Sequence, residues 1–274
     1  MILVKFTNST YVEDFQSGNL FMHSLKWFWE HGTGQQKDLL EGTIATQTPE
    51  DALLPNEIAE AARHDVFYLA AGYQYCNILC LTYVKPLIGS SPSMDGYGFP
   101  SQMDDYGDAA IMITDVPEFC RRVIASAQAS EYKVLCRRVD YHQQLLRGRP
   151  KQNSTRMTWR AREAIPFHFS KNYTKYDSFD KLDKYDGELE WRICLYRGVK
   201  DENEAFTFSI GDLHDITETY KKEDLFSEEA IIAHKELIGK PHEIKEEHGN
   251  VGREELRELF YDLGDRTAYL VLGT

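Results

Sequence analysis

From Leu189 to Tyr196 the chain reads Leu-Glu-Trp-Arg-Ile-Cys-Leu-Tyr, a run of large apolar and β-forming side chains around one arginine. That run predicts a buried strand, and Asp186-Gly187 just ahead of it predicts the turn that delivers the chain into it. Any fold this sequence adopts has to be organised around that strand. At its entrance stand two carboxylates, Glu188 and Glu190. Side chains two apart on a strand share a face, so both acids are expected to project into one cleft at the strand's mouth. Like charges this close are costly unless a cationic or hydroxyl-rich ligand shares the site. The plainer alternative is an exposed turn with a solvated glutamate pair and Arg192 as its neutraliser.

The remainder of the chain predicts short strands interrupted by a few helices. Strands are expected at 2–6, 19–25, 65–71, 76–84, 109–113, 134–141, 167–169, 206–210 and 268–272. Helices are expected at 10–17 with Gly18 as the stop, at 26–31, 50–63, at 117–127 opening on Pro117, and at 158–164, 223–238 and 253–263. Residues 86–107, punctuated by Pro92, Gly96, Gly98 and Pro100, read as a loop long enough to act as a lid. There is no internal repeat and no strong domain boundary. The expectation is one α+β domain over residues 1–274, a mostly antiparallel sheet with flanking helices. Its core spans about residues 2–197, and an acidic helical extension spans about 198–274.

Net charge is −13, so the surface as a whole should repel nucleic acid and acidic membranes. The charge is uneven. Residues 133–162 hold nine Lys/Arg against one acid, Asp140, a net of +8; the rest of the chain therefore carries −21. Within the basic stretch, Arg147, Arg149, Lys151, Arg156, Arg160 and the aromatic Trp159 make a pattern suited to single-stranded nucleic acid, with cations on the backbone and a ring under a base. An equal expectation is that the stretch pairs with the protein's own acidic C-terminal part. That acidic part would also suit a basic protein partner such as an antitoxin.

The five cysteines, an odd number in apolar surroundings without zinc spacing, predict reduced buried thiols and a cytoplasmic protein. Met1 leads straight into a strand-like run with no signal-peptide pattern. Residues 66–84 are uncharged over 19 positions, but tyrosines, Gln74 and Asn77 spread through them argue for buried strands and no membrane span. The nine histidines form no metal pattern, and no phosphate loop, dinucleotide fingerprint or nucleophile elbow is present.

A strand opening with Glu-x-Glu, preceded far upstream by a first strand that ends in Lys5-Phe6-Thr7, resembles the mono-ADP-ribosyltransferases. There the first strand carries Arg/His-x-Ser/Thr, and Lys5 departs from that pattern. Short pieces at Ser24–Phe28, 38–42, 169–171 and 190–192 also resemble bacterial and phage-defence proteins of that type. The resemblance covers about residues 2–197. It implies a split, mostly antiparallel ADP-ribosyltransferase-like sheet, NAD as substrate, and transfer of ADP-ribose to an acceptor, with RNA or single-stranded DNA expected. On this reading Glu190 stabilises the oxocarbenium-like charge on the ribose and Glu188 orients or deprotonates the acceptor. Lys5 and Thr7 hold the dinucleotide, with Ser24 and Thr82 as hydroxyl candidates. Phe28 or Tyr83 stacks on the nicotinamide. The residues leave two other classes open: a non-catalytic binding module, and a Mg²⁺-dependent nuclease built from Glu188, Glu190, Asp38 and Glu41.

Overall fold

The computed structural model describes residues 2–25, 27–28, 43–47, 66–70, 76–84, 106–142, 164–166, 178–198, 205–227, 247–256 and 267–272. In chain order its regular elements begin with β1 (Ile2–Thr7), α1 (Val12–Gln16), β2 (Asn19–Ser24), β3 (Thr43–Gln47), β4 (Val66–Ala70) and β5 (Cys76–Val84). There follow β6 (Ala109–Ile113), α2 (Val116–Ala129), β7 (Lys133–Arg138), β8 (Asp140–His142), β9 (Ala164–Pro166) and β10 (Asp180–Leu182). The chain closes with β11 (Glu190–Tyr196), β12 (Phe206–Ser209), β13 (Thr217–Lys221), β14 (Glu247–Gly249) and β15 (Thr267–Leu272). The architecture is α+β, dominated by antiparallel pairing.

The expected central strand is central. The main sheet runs β13-β6-β1-β5-β11-β7-β14, which places β11 between β5 and β7. On β5 and β11 the alternation of side chains divides two environments. Leu79, Leu81, Tyr83, Trp191, Ile193 and Leu195 join one apolar cluster with Phe119, Cys120 and Val123 of α2. That helix starts where Asp115 accepts a hydrogen bond from the Glu118 amide at 3.0 Å, and it buries Val116, Phe119, Cys120, Val123 and Ala127, spaced to share one face. Each large apolar side chain so buried contributes about 1.5–3 kcal/mol. The opposite face of the same two strands carries Cys80 and Thr82, opposed in register by Arg192 and Glu190.

The sheet forks along one edge of β5. Its last residues pair with β1 (Ile2↔Val84, Leu3↔Tyr83, Val4↔Thr82), and its first residues pair with β2 (His23↔Ile78, Ser24↔Asn77). Between the two partners the edge at 79–81 faces a gap. Lys5 bridges it, donating from Nζ to the Cys80 carbonyl at 3.1 Å and so satisfying a backbone acceptor that the fork would strand. Gly18 makes the entry to β2 feasible: its φ is +82°, and a Cβ there would lie 1.8 Å from the Gly211 carbonyl oxygen.

The described elements after residue 198 are mainly strands: β12 pairs with β2, β13 with β6 and β14 with β7, so they close both edges of the main sheet. The unbroken polar run in Thr217–Lys221 hid one of these strands, and Glu247–Gly249 is too short to show a period. The strand expected at 134–141 breaks at Val139 into β7 and β8. A second sheet of order β3-β4-β15-β9 takes up the uncharged run at 66–70 and the last strand. The helix expected at 50–63, nearly all of the 86–107 loop, and Asp38 and Glu41 lie outside the described residues, as do most of the helices expected at 223–238 and 253–263. No described helix is long and apolar enough to cross a membrane.

Candidate functional site

Glu188 and Glu190 meet in one place, but not by strand alternation. Glu188 ends a 3₁₀ turn over Asp183–Glu188, and β11 begins only at Glu190. Leu189 between them has φ +45°, the left-handed region that costs a branched side chain about 1–2 kcal/mol. Backbone bonds hold it there: the Tyr83 amide donates to the Leu189 carbonyl at 2.8 Å and the Glu190 amide donates to the Tyr141 hydroxyl at 2.9 Å. This kink turns both carboxylates inward. They are buried, 6% and 5% exposed, which rules out the solvated pair.

The charge is compensated from within. Lys181 of β10 donates to Glu188 Oε2 at 2.8 Å and to Glu190 Oε2 at 3.0 Å. Arg192 donates from Nε to Glu190 Oε1 at 2.5 Å, and its Nη1 reaches the Ser178 carbonyl at 2.5 Å. Arg192 is therefore the expected neutraliser, acting in the interior instead of at a surface. The two acids are driven apart in acidity. Burial raises Glu188 to about 7, assisted by the Glu190 charge and opposed by Lys181. Burial also opposes ionisation of Glu190, but Arg192 and Lys181 together outweigh it and hold its pKa well below the usual carboxylate range. Burial lowers Lys5 and raises the Cys80 thiol, and Tyr106 is raised by burial and then by the Glu188 charge.

These groups border a cavity of about 680 Å³ at the fork of the sheet. Lys5, Cys80, Thr82, Lys181, Glu188, Glu190 and Arg192 line its charged end. Phe21, His23, Trp27 and Phe28 form an aromatic wall. In that wall His23 and Trp27 stack with centroids 3.8 Å apart and planes 15° from parallel, and Phe28 stands edge-on to Trp27 at 5.3 Å. Tyr106 also lines the cavity, and beside it Gly107 has φ +92° and lies so close to β1 that a Cβ would sit 2.3 Å from the Thr7 carbonyl oxygen.

Of the residues expected at the site, Glu188, Glu190, Lys5, Thr7, Phe28 and Thr82 all line this cavity. Tyr83 does not: one residue on from Thr82, it points into the α2-side core, and Arg138 lies over its ring at 4.8 Å. Ser24 is a cap, its Oγ accepting from the Trp27 amide at 3.2 Å, which sets the direction of the aromatic wall. Arg147, Arg149, Lys151, Arg156, Trp159 and Arg160 lie outside the described residues. The described start of the basic stretch is engaged by the chain's own acids: Arg137 meets Asp140 at 2.9 Å and Glu247 at 3.6 Å, and Lys133 meets Glu255 at 3.7 Å. Lys181 was missed because it sits in a polar stretch with no period; His23, Trp27 and Tyr106 needed the fork to be brought together. Among the described residues no three His, Cys, Asp or Glu side chains are grouped to hold a metal ion. Both Glu190 oxygens accept from side-chain cations.

Compared with protein-family models, curated proteins and solved structures, the chain gives no match.

Proposed function

We propose that the cavity binds NAD, that the fold is ADP-ribosyltransferase-like, and that the protein transfers ADP-ribose to RNA or single-stranded DNA as a toxin or phage-defence effector. The observation that carries the reading is a pair of adjacent buried carboxylates with opposite acidities, one held ionised and one titrating near 7, beside an aromatic wall. Groups whose environments push their pKa values apart are suited to different roles in one reaction. Cleavage of the nicotinamide–ribose bond leaves the electron pair on nicotinamide, which departs neutral, and positive charge on the ribose C1′ and ring oxygen. Glu190, ionised throughout, supplies fixed negative charge for that state. An acceptor O–H or N–H then attacks C1′, and its proton passes to Glu188, whose pKa suits a general base near neutrality. Lys5 and Thr7 at the end of β1 and Lys181 on β10 offer donors to phosphate and ribose oxygens. The wall of His23, Trp27 and Phe28 offers an aromatic surface to a flat ring.

Use of NAD is favoured over a Mg²⁺-dependent nuclease because the Glu190 oxygens are already bonded to Arg192 and Lys181, where an ion would need them bare. The acceptor proposal rests on the six cations from Arg147 to Arg162. The deciding experiment incubates the purified protein with NAD and RNA, single-stranded DNA or protein, and reads ADP-ribose adducts by mass spectrometry. Adducts on nucleic acid support the reading; adducts on protein alone move the acceptor; Mg²⁺-dependent strand cleavage that ignores NAD overturns it.

A further inference from the structure

β8 and β10 are three-residue strands that pair only with each other among the described residues, parallel, with Asp180↔Asp140 and Lys181↔Tyr141 in register. Two such strands form a marginal ladder on their own. Yet they carry Lys181, which bonds both site carboxylates, and Tyr141, whose hydroxyl accepts from the Glu190 amide. Something outside the ladder must hold them in place. Alternation turns Asp140 and Asp180 away from the residues that face the carboxylates. There Arg253 meets both: Nη1 lies 2.6 Å from Asp140 Oδ2 and Nη2 lies 2.8 Å from Asp180 Oδ2. Asp180 is 4% exposed at its side chain and Arg253 16%. Arg137 adds a second cation to Asp140 at 2.9 Å, and the Arg253 amide donates to Glu247 at 3.3 Å.

We propose that Arg253 is a positioning residue of the site: by clamping Asp140 and Asp180 it fixes the β8–β10 ladder so that Lys181 stays bonded to Glu188 and Glu190. Asp140 is 40% exposed at its side chain, so the clamp is only partly buried, and ion pairs of this kind add little net stability. What this one provides is geometry, because a single planar guanidinium spans two strands through its separate nitrogens. It also ties Arg253, far along the chain, to a site whose Lys5, Lys181, Glu188, Glu190 and Arg192 all precede residue 193.

The inference rests on Glu188 and Glu190 being the reacting carboxylates only for its catalytic meaning; the test itself needs no NAD. The full chain is labelled with carboxyl-¹³C glutamate, the Glu188 signal is identified by its loss in Glu188→Gln, and its titration midpoint is followed by NMR. Burial first, then Lys181, Glu190 and Arg192, set that midpoint, and Tyr106 also faces Glu188. Of these, Lys181 is the one whose side chain the clamped ladder itself carries; Glu190 meets the ladder through its amide at the Tyr141 hydroxyl, and Arg192 meets the Ser178 carbonyl beside it. Arg253→Ala should raise the midpoint by about one pH unit or more, the scale expected for losing an adjacent cation, and Arg253→Lys should fall between the two. An unmoved midpoint with a lowered melting temperature would make Arg253 a structural brace and overturn the proposal. Should Arg253→Ala not fold, Asp180→Asn keeps the side chain's shape while removing one charge of the clamp; it should raise the midpoint too, and no rise there is equally fatal. Absence of NAD turnover in the wild type would remove the reading of the cavity and leave the titration result standing.

Discussion

Replacing Lys181 with methionine keeps most of the unbranched side chain and removes the cation shared by Glu188 and Glu190. In the wild type Glu188 titrates near 7 against an ordinary glutamate value of 4.5. A folded-state pKa raised above the unfolded one means the folded state binds the extra proton, so stability from this group falls as pH rises from 4.5 to about 7. A cation in contact lowers a carboxyl pKa by about 1–3 units, so its loss extends that fall to about pH 8–10. For a rise of about two units, linkage gives a pH-dependent loss of about 2 kcal/mol near pH 8.5 and less than about 0.1 kcal/mol near pH 6. A second, pH-independent loss comes from Glu190, which stays ionised and keeps only Arg192. Urea unfolding of Lys181→Met and wild type at the two pH values separates the pH-dependent loss from the pH-independent one. Equal destabilisation at both pH values would refute the reasoning, because it would mean that Glu188 does not titrate against Lys181.

If Glu188 is the general base, transfer should fall tenfold per pH unit below about 7, while Glu188→Gln abolishes transfer and keeps slow NAD hydrolysis; a flat pH–rate profile for transfer excludes the role. Phe28→Ala should weaken NAD binding by about 0.5–1.5 kcal/mol if the aromatic wall stacks a ring, read by calorimetry, and unchanged affinity would place the ring elsewhere. Charge reversal of Arg147, Arg149, Lys151 and Arg156 should abolish modification of nucleic acid and spare NAD hydrolysis, and Trp159→Ala should cost about 1–3 kcal/mol in acceptor binding if it stacks a base. Equal loss of both activities in the charge-reversed protein would make the segment structural.

The strands that could be read were those whose side chains are apolar enough to declare burial. Cys76–Val84 and Ala109–Ile113 are apolar on both faces or nearly so, and both strands begin and end where the sequence places them. Thr217–Lys221 is buried at one residue only, so its place at the sheet edge follows from its partner Ala109–Ile113 and not from its own composition. The same limit governs the site. Glu188 and Glu190 stand out at the mouth of the central strand, and Lys5, Thr7 and Thr82 through the family resemblance, but assigning Tyr83 to the cavity ignores that Thr82 and Tyr83 cannot share a face. The two glutamates converge for a reason the alternation argument did not contain, a left-handed leucine held by tertiary hydrogen bonds. Lys181 and Arg253 carry no local signal. They matter through contacts with residues 7 and 113 positions away along the chain.

Release of nicotinamide from NAD by the purified protein, with EDTA present and wild type set beside Glu190→Gln, tests the central claim most directly. The Glu190 carboxylate, held ionised by Arg192 and Lys181, is the group that would meet the positive ribose. Nicotinamide should appear with the wild type and fall by about 10²–10³-fold with the variant, the scale of a lost electrostatic stabiliser, while both proteins give the same unfolding curve. No nicotinamide from the wild type under any acceptor, or near-equal release by a folded Glu190→Gln protein, would contradict the account.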